Sequence, residues 1–392
     1  MTKLNTWPVY SSSEIRAVTS VLKSGKVNYW TGKKCLEFET KFKKKFNLKY
    51  SVAVANGSLA LDCALKALNL NPEDEIIVTP KSYIASASCV INAGAKPVFS
   101  DVDLNSQNLL IDDLKNKVTK KTKAIICVHV AGFPCDLDEI LKICKKNKII
   151  LIEDCSQAHG SKYKNKYVGS FGDIATWSFC NDKIISTGGE GGMIACKNKN
   201  IWKKIWAIKD CGKSYDRLYK SKHKPGFKWI HDNFGTNMRL TEMQAAIGII
   251  QLGYLDNWIK QRRKNFFYLL EKFRKFKIFR VQNLNNNIYI APYRFCFFTI
   301  KENMKPGWNR EKILVELNKK KISCTMGSCS EIYKERGFVK KMGHHKILKN
   351  ANLLGNTSLA LPVDPTMSRN DLKCIIKEIK IIYKKAYIDK NK

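Results

Sequence analysis

Short apolar runs alternate with amphipathic segments of helical spacing from Tyr50 to Lys209, and this alternation limits the possible folds more than any other feature of the chain. Residues 50–55, 76–79, 97–101, 124–130, 149–152, 174–179 and 191–196 have the length and β-branched content of buried strands. Between them, residues 59–70, 85–93 and 137–146 repeat their apolar positions at helical spacing. Strands separated by helices pair in parallel, because a parallel connection needs a crossover, and a parallel sheet must be covered on both faces. The expectation is an α/β chain with a large domain built on a mostly parallel sheet flanked by helices.

Past this region the pattern changes. Thr241 caps a predicted helix over residues 241–276, with Ala245, Ala246, Ile249 and Leu252 on its apolar face. Beyond it the sequence predicts strands at 293–300 and 358–361 and helices at 310–319 and 370–387, a small α+β unit. Residues 1–258 therefore read as a large domain that includes the N-terminal segment. Residues 259–392 read as a small C-terminal domain, linked through the long helix. A chain of 392 residues suits this division, since single cores stop growing near that size.

Charge and cysteine usage exclude several function classes. The 70 Lys plus Arg against 34 Asp plus Glu give a net charge of +36, but the lysines are dispersed, with no basic stripe interleaved with aromatics. Specific nucleic-acid binding is not expected, although a positive surface attracts anionic substrates. No run approaches the roughly 18 apolar residues of a membrane span. Residues 1–16 lack the plan of a secretory signal. The chain reads as cytoplasmic, with no membrane partner. The 14 cysteines include no C-x-x-C pair, and Cys63, Cys89, Cys127 and Cys196 lie inside apolar runs, as small core hydrophobes do in a reducing compartment. Cys324 and Cys329 have no nearby histidine to complete a metal site, and no metal is expected.

The stretch from Glu153 to Gly192 carries the chemistry. Asp154 emerges at the carboxyl end of one buried strand, and the next strand leads to Lys183, followed by Gly188, Gly189, Gly191 and Gly192. If the two strands are neighbours, an acid and an amine face one cleft where α/β sheets bind ligands. That pair suits pyridoxal phosphate. The lysine holds the aldehyde covalently, and an anionic aspartate keeps the pyridine nitrogen protonated. Asn56-Gly57-Ser58 joins a strand to a helix, an arrangement whose free N–H groups bind phosphate. Tyr83 follows another strand and either stacks on a planar cofactor or packs in the core. Residues 24–32, rich in aromatic and polar side chains, either cover a substrate site or form a packed surface loop.

The runs Glu153-Asp154-Cys155-Ser156-Gln157-Ala158-His159-Gly160, Gly169-Ser170-Phe171-Gly172-Asp173, Ser178-Phe179-Cys180-Asn181-Asp182-Lys183, Thr187 to Gly192 and Asn237-Met238-Arg239 resemble the nucleotide-sugar aminotransferases of the DegT/StrS type. The resemblance covers nearly the whole chain and implies the fold-type-I, aspartate-aminotransferase-like fold of pyridoxal 5'-phosphate enzymes. It makes Lys183 the cofactor-bearing catalytic lysine and Asp154 the partner of the ring nitrogen. Gln157 would contact the ring hydroxyl and Tyr83 the ring face. Gly57, Ser58 and Ser178 would hold the phosphate, and Asn237 would reach the phosphate of a neighbouring subunit, which implies a homodimer with shared active sites.

The implied activity moves an amino group from L-glutamate to a keto sugar carried on a nucleotide diphosphate, for surface polysaccharide or another glycan. A 4-keto-6-deoxy hexose is the expected sugar and a 3-keto sugar the alternative. Related sugar dehydratases carry histidine where Lys183 stands, which favours transamination. Cys155-Ser156 and Ser58 are small departures from the family pattern. Residues 323–333 differ more and leave the sugar open. Lys183 must be unprotonated for proton transfer, which burial and the neighbouring cationic cofactor favour. His159 reads as a hydrogen-bonded structural histidine, and Arg239 with the basic residues of 210–231 as candidates for the diphosphate. A catalytically silent sensor that keeps the fold is the rival from another class.

Overall fold

The computed structural model describes residues 7–223 and 225–389, so the first six and last three residues of the expected domains lie outside the described residues. In chain order the first strands are β1 (Tyr50–Val54), β2 (Glu75–Val78), β3 (Lys96–Phe99), β4 (Thr122–Val128) and β5 (Ile150–Asp154). A small pair, β6 (Lys162–Tyr163) and β7 (Lys166–Tyr167), precedes β8 (Ile174–Ser178) and β9 (Gly192–Cys196). Seven of these form one sheet in the order β1-β9-β8-β5-β4-β2-β3. Side chains of a strand alternate between its faces. Accordingly Val52, Val54, Ile76, Val78, Ile126 and Ile152 enter one core, while Ala53, Ile77, Ile125 and Leu151 enter the other. Helices Gly57–Lys66, Ala85–Asn92 and Leu137–Asn147 follow β1, β2 and β4, as the spacing predicts.

The pairings β2–β3, β2–β4, β4–β5 and β5–β8 are parallel. β9 runs antiparallel to both β8 and β1. The alternation of strand and helix stops at β5, since only β6 and β7 lie between β5 and β8, and residues 179–191 form no helix and turn the chain back through Gly188 and Gly189, at φ 82° and 112°. Those conformations favour glycine.

Helix Glu242–Phe273 starts where its cap requires, with Thr241 Oγ accepting from the Gln244 N–H at 3.3 Å. Its early apolar residues, Ala245, Leu252 and Ile259, join a core of the seven-stranded sheet, and from Phe266 to Phe273 it joins a third core. That core covers the antiparallel sheet β10-β12-β13, formed by β10 (Phe279–Val281), β12 (Arg294–Thr299) and β13 (Ser358–Pro362). Between β10 and β12, β11 (Ile288–Tyr289) pairs with β6. The sequence reading omitted the short elements β6, β7, β10 and β11 and helices Ile111–Lys117, Tyr215–Lys220, Arg336–Met342 and Lys349–Thr357, where the apolar pattern spans too few turns to register. Among the described residues no helix is long and apolar enough to cross a membrane.

Candidate active site

Asp154 closes β5 opposite Thr176 of β8, so the two strands are neighbours and their carboxyl ends open into one cleft. Gly57, Ser58, Tyr83, Asp154, Gln157, Ser178 and Lys183 all line a cavity of about 580 Å³ there. Asn237, the eighth expected residue, does not line it. Its backbone pairs with Asp210, and its side-chain oxygen accepts from the Arg239 N–H at 3.3 Å.

The Asp154 carboxylate is 3% exposed, accepting from Ser86 Oγ at 2.9 Å and from the Ser156 N–H at 3.1 Å. It has no ion-pair partner among the described residues. A buried carboxylate held only by neutral donors at a cavity wall fits a cationic ligand group, such as a protonated ring nitrogen. At the other end of the cavity Asn56 Oδ1 caps helix Gly57–Lys66 by accepting from the Leu59 N–H at 2.9 Å. The remaining first-turn N–H groups have no partner inside the helix and suit an anion. A Cβ at Gly57 would lie 2.6 Å from Ser178 Cβ, so glycine is what lets this helix end close on β8. The residues present thus fit a flat cofactor with a phosphate at one end and a basic ring nitrogen at the other. Tyr83 stands at the mouth with its ring 67% exposed, available for stacking rather than packed in the core. Gln157 is fixed by the Ala131 N–H, which donates to Oε1 at 2.8 Å.

Lys183 Nζ lies 3.5 Å from Asp182 Oδ1 and 4.8 Å from the centroid of the Tyr293 ring, and its carbonyl accepts from Trp7 Nε1 at 2.8 Å. Burial disfavours its ammonium form, as the sequence leads one to expect, but Tyr293, Asp182 and Cys180 outweigh burial and hold its pKa above the ordinary range. Among the chain's own groups the balance thus favours the ammonium; the neutral form expected for proton transfer relies on the cationic cofactor as well as on burial. Burial likewise opposes ionisation of Asp182, and Lys183, Tyr293 and Arg294 overcome it and lower its pKa. The Tyr293 hydroxyl donates to Asp182 Oδ2, and Arg294 Nη2 lies 3.7 Å away. Sequence reasoning missed this trio, since Asp182 and Tyr293 are 111 residues apart and only their chain neighbours were informative.

His159 departs from expectation. It is fully buried, and neither ring nitrogen has a hydrogen-bond partner of ordinary geometry. Burial and the Lys183 charge lower its pKa to about 3, so it stays neutral. Arg239 and Lys213 bind the Asp210 carboxylate, at 2.7 and 3.1 Å, and do not line the cavity. In the loop 24–32 Tyr29 is buried beneath Lys209, whose Nζ lies 3.5 Å from the ring centroid, and Trp30 packs edge-on against Trp206.

His129, Glu153 and Cys155 bring three ligand types within 4.8 Å of one another in the core. Their hydrogen bonds oppose a metal. The Cys135 N–H donates to His129 Nδ1 at 3.0 Å, which leaves Nε2 to donate to Glu153 Oε2 at 3.2 Å, and neither nitrogen keeps a free lone pair.

A model of the DegT/DnrJ/EryC1/StrS aminotransferase family matches residues 8–380. The chain is 42% identical over 228 residues to GDP-perosamine synthase of Escherichia coli O157:H7, an alignment that spans 58% of this chain and 60% of that enzyme. The X-ray structure of an aminotransferase from Psychrobacter cryohalolentis superposes with a TM-score of 0.95 at 42% identity, covering 97% of this chain and 99% of the other. E. coli GDP-4-keto-6-deoxy-D-mannose-3-dehydratase with bound hydrated PLP superposes with a TM-score of 0.85 at 30% identity, covering 96% of this chain and all of the other.

Proposed function

The chain belongs to the DegT/DnrJ/EryC1/StrS aminotransferase family, and on that premise we propose that it is a pyridoxal-phosphate-dependent aminotransferase that converts a nucleotide-linked keto sugar to the amino sugar. Its fold is that of the fold-type-I PLP enzymes. The single observation that carries the reading is the buried, unpaired Asp154 carboxylate facing the same cavity as Lys183, with a helix N-terminus at the opposite end.

Bound pyridoxal phosphate supplies an electron sink for the carbon that loses or gains the amino group. The chain's own residues orient it. Asp154, held by Ser86 and the Ser156 N–H, keeps the ring nitrogen protonated. Gly57, Ser58 and Ser178 hold the phosphate, Tyr83 covers the ring and Gln157 meets its hydroxyl. Lys183 would hold the aldehyde and, when free, would carry a proton on Nζ, where Asp182 and the Tyr293 hydroxyl would steady it.

L-glutamate is the amino donor and a 4-keto-6-deoxy hexose on a nucleoside diphosphate the acceptor, in cytoplasmic synthesis of a surface polysaccharide or other glycan. Lys183, where the related dehydratases carry histidine, favours transamination. The active unit is a homodimer in which Asn237 reaches the partner's phosphate site. In support, Asn237 lies outside its own chain's cavity, and its loop exposes Phe227, Trp229 and Phe234 by 77%, 77% and 100%. Residues 1–258 and 259–392 form the two domains, supported by the change of core along helix Glu242–Phe273.

An absorbance spectrum of the protein loaded with pyridoxal phosphate tests this reading, recorded before and after L-glutamate and beside Lys183→Ala. The expected result is a visible band that glutamate bleaches and that the variant lacks. A band present in both proteins, or none in wild type, would sink the assignment; a band that glutamate leaves unchanged excludes glutamate as donor.

A further inference from the structure

Lys81 and Lys209 are each buried to 1% exposure or less, but they are not alike. Lys209 has the Asp210 carboxylate at 3.3 Å. Lys81 has no carboxylate partner among the described residues; its Nζ donates to Ser330 Oγ at 2.7 Å and to the Ser328 carbonyl at 3.3 Å. Removing an ammonium from water for two neutral acceptors costs more than burying a methionine of similar shape. A residue that breaks the rule for buried charge marks a site of function more often than an accident.

Both acceptors lie on residues 325–330, a strap without helix or strand of its own. One end is tied where Thr325 and Ala360 exchange backbone hydrogen bonds at 3.0 and 2.8 Å, and the other where the Ser82 N–H donates to the Cys329 carbonyl at 3.0 Å. Ser328 Oγ also accepts from Gln157 Nε2 at 3.3 Å. Lys81 therefore joins the strap to the segment that carries Tyr83, beside the cofactor residues.

The strap forms one wall of a second cavity, of about 600 Å³, which shares Tyr83, Gln157, Asp182 and Lys183 with the first. Thr325, Gly327 and Ser328 line it on the strap's side, on the far side of the residues the two cavities share from the phosphate-binding turn. Gln107 lines the same cavity and is 1% exposed; the Cys296 thiol, a weak acceptor, lies beside its side chain, and Nε2 has no oxygen partner. A buried amide donor facing such a cavity suits a ligand oxygen. Resting on the sugar aminotransferase reading above, we propose that Lys81 is a positioning residue that fixes the 325–330 strap as the sugar-selecting wall, and that this wall with Gln107 takes a hexose bearing hydrogen-bond-accepting ring substituents.

The test compares wild type with Lys81→Met, Lys81→Arg and Ser330→Ala as full-length, cofactor-loaded proteins. Hydrogen exchange of residues 325–330, the rate of bleaching by L-glutamate, and kcat and KM with GDP-4-keto-6-deoxymannose and dTDP-4-keto-6-deoxyglucose are measured on each. In Lys81→Met the strap exchanges faster, glutamate bleaching stays within about twofold, and the sugar KM rises roughly tenfold or more. Ser330→Ala moves the same way by less, and Lys81→Arg restores most of the loss. Unchanged strap exchange, or equal losses in the glutamate and sugar steps, overturns the proposal. Wild type that bleaches with glutamate but aminates neither sugar overturns the assignment of the wall to hexoses of this kind. Wild type that never bleaches overturns the aminotransferase reading instead, and exchange still decides whether Lys81 holds the strap.

Discussion

Glu153, beneath the floor of the cofactor cavity, accepts four hydrogen bonds, whereas Lys81, behind the outer wall, has two neutral acceptors. The Glu153 donors are His129 Nε2 at 3.2 Å and the N–H groups of Gly169, Phe171 and Gly172 at 2.8, 2.8 and 2.6 Å. Burial opposes ionisation of Glu153, but His129 and the Gly172 and Gly169 amides hold its pKa below the usual range. Asp154, its neighbour on β5, points to the opposite face and into the cavity. The floor is thus tied to the sheet at many points, and the residues that meet the cofactor inherit that rigidity. The wall hangs from backbone bonds at Thr325 and Cys329, from the Gln157 amide on Ser328 and from one ammonium. Substrate choice can then change in the wall without disturbing the floor.

The contrast predicts opposite responses to removing the two buried charges. Glu153→Ala leaves His129 and three amides buried without an acceptor, and should cost about 3–5 kcal/mol in urea unfolding at pH 7. A loss below about 1 kcal/mol would remove the floor's claim to be the firmer region. Gly57→Ala should cost less, about 1–3 kcal/mol, because the new Cβ meets Ser178 Cβ at 2.6 Å. It should also weaken pyridoxal phosphate binding in equilibrium dialysis, since the helix end must shift away from β8.

Lys81→Met should have the smallest effect on stability and the opposite sign. Burial pushes the Lys81 pKa down from 10.5 to about 8, a cost of about 3 kcal/mol, offset by about 1–2 kcal/mol for its hydrogen bonds. The variant should therefore be as stable as wild type at pH 7, or about 1–2 kcal/mol more so. The cost is fully present below pH 8. Between pH 8 and 10.5 the unfolded chain binds more protons at this lysine than the folded one, so wild type gains on the variant as pH rises. Urea midpoints at pH 7 and pH 9.5 check this. A gap that widens with pH would mean that the ammonium is stabilised in place, and the two regions would no longer differ in kind.

Much of the floor was legible because it is written locally. Asp154 ends an apolar run, Gly57 and Ser58 open a helix after another, and the glycines after Lys183 mark a turn. The strand alternation also predicted the parallel sheet, though not the reversal of β9, which depends on residues 179–191 failing to form a helix. The wall was not legible. Lys81 and Ser330 are 249 residues apart, and nothing in either neighbourhood names the other. The family pattern marked residues 323–333 as unusual without saying what held them. Which partner the buried, neutral His159 would find was not legible for the same reason, since a histidine's partners depend on which strands surround it.

By itself the sequence determined the seven strands of the main sheet and the longer helices, which ends carry an acid, an amine and a phosphate-binding turn, and that these suit one cofactor. Those properties follow from side-chain periodicity and turn chemistry, both of which act over a few residues. Only the tertiary structure decided that Tyr293 and Asp182 raise the Lys183 pKa against its burial, that Asn237 lies outside its own chain's cavity, and that a buried ammonium ties residues 325–330 to the site. The reason is electrostatic. The cost of a charge and the identity of its partner are set by what the fold brings within a few ångströms and by how much water it removes.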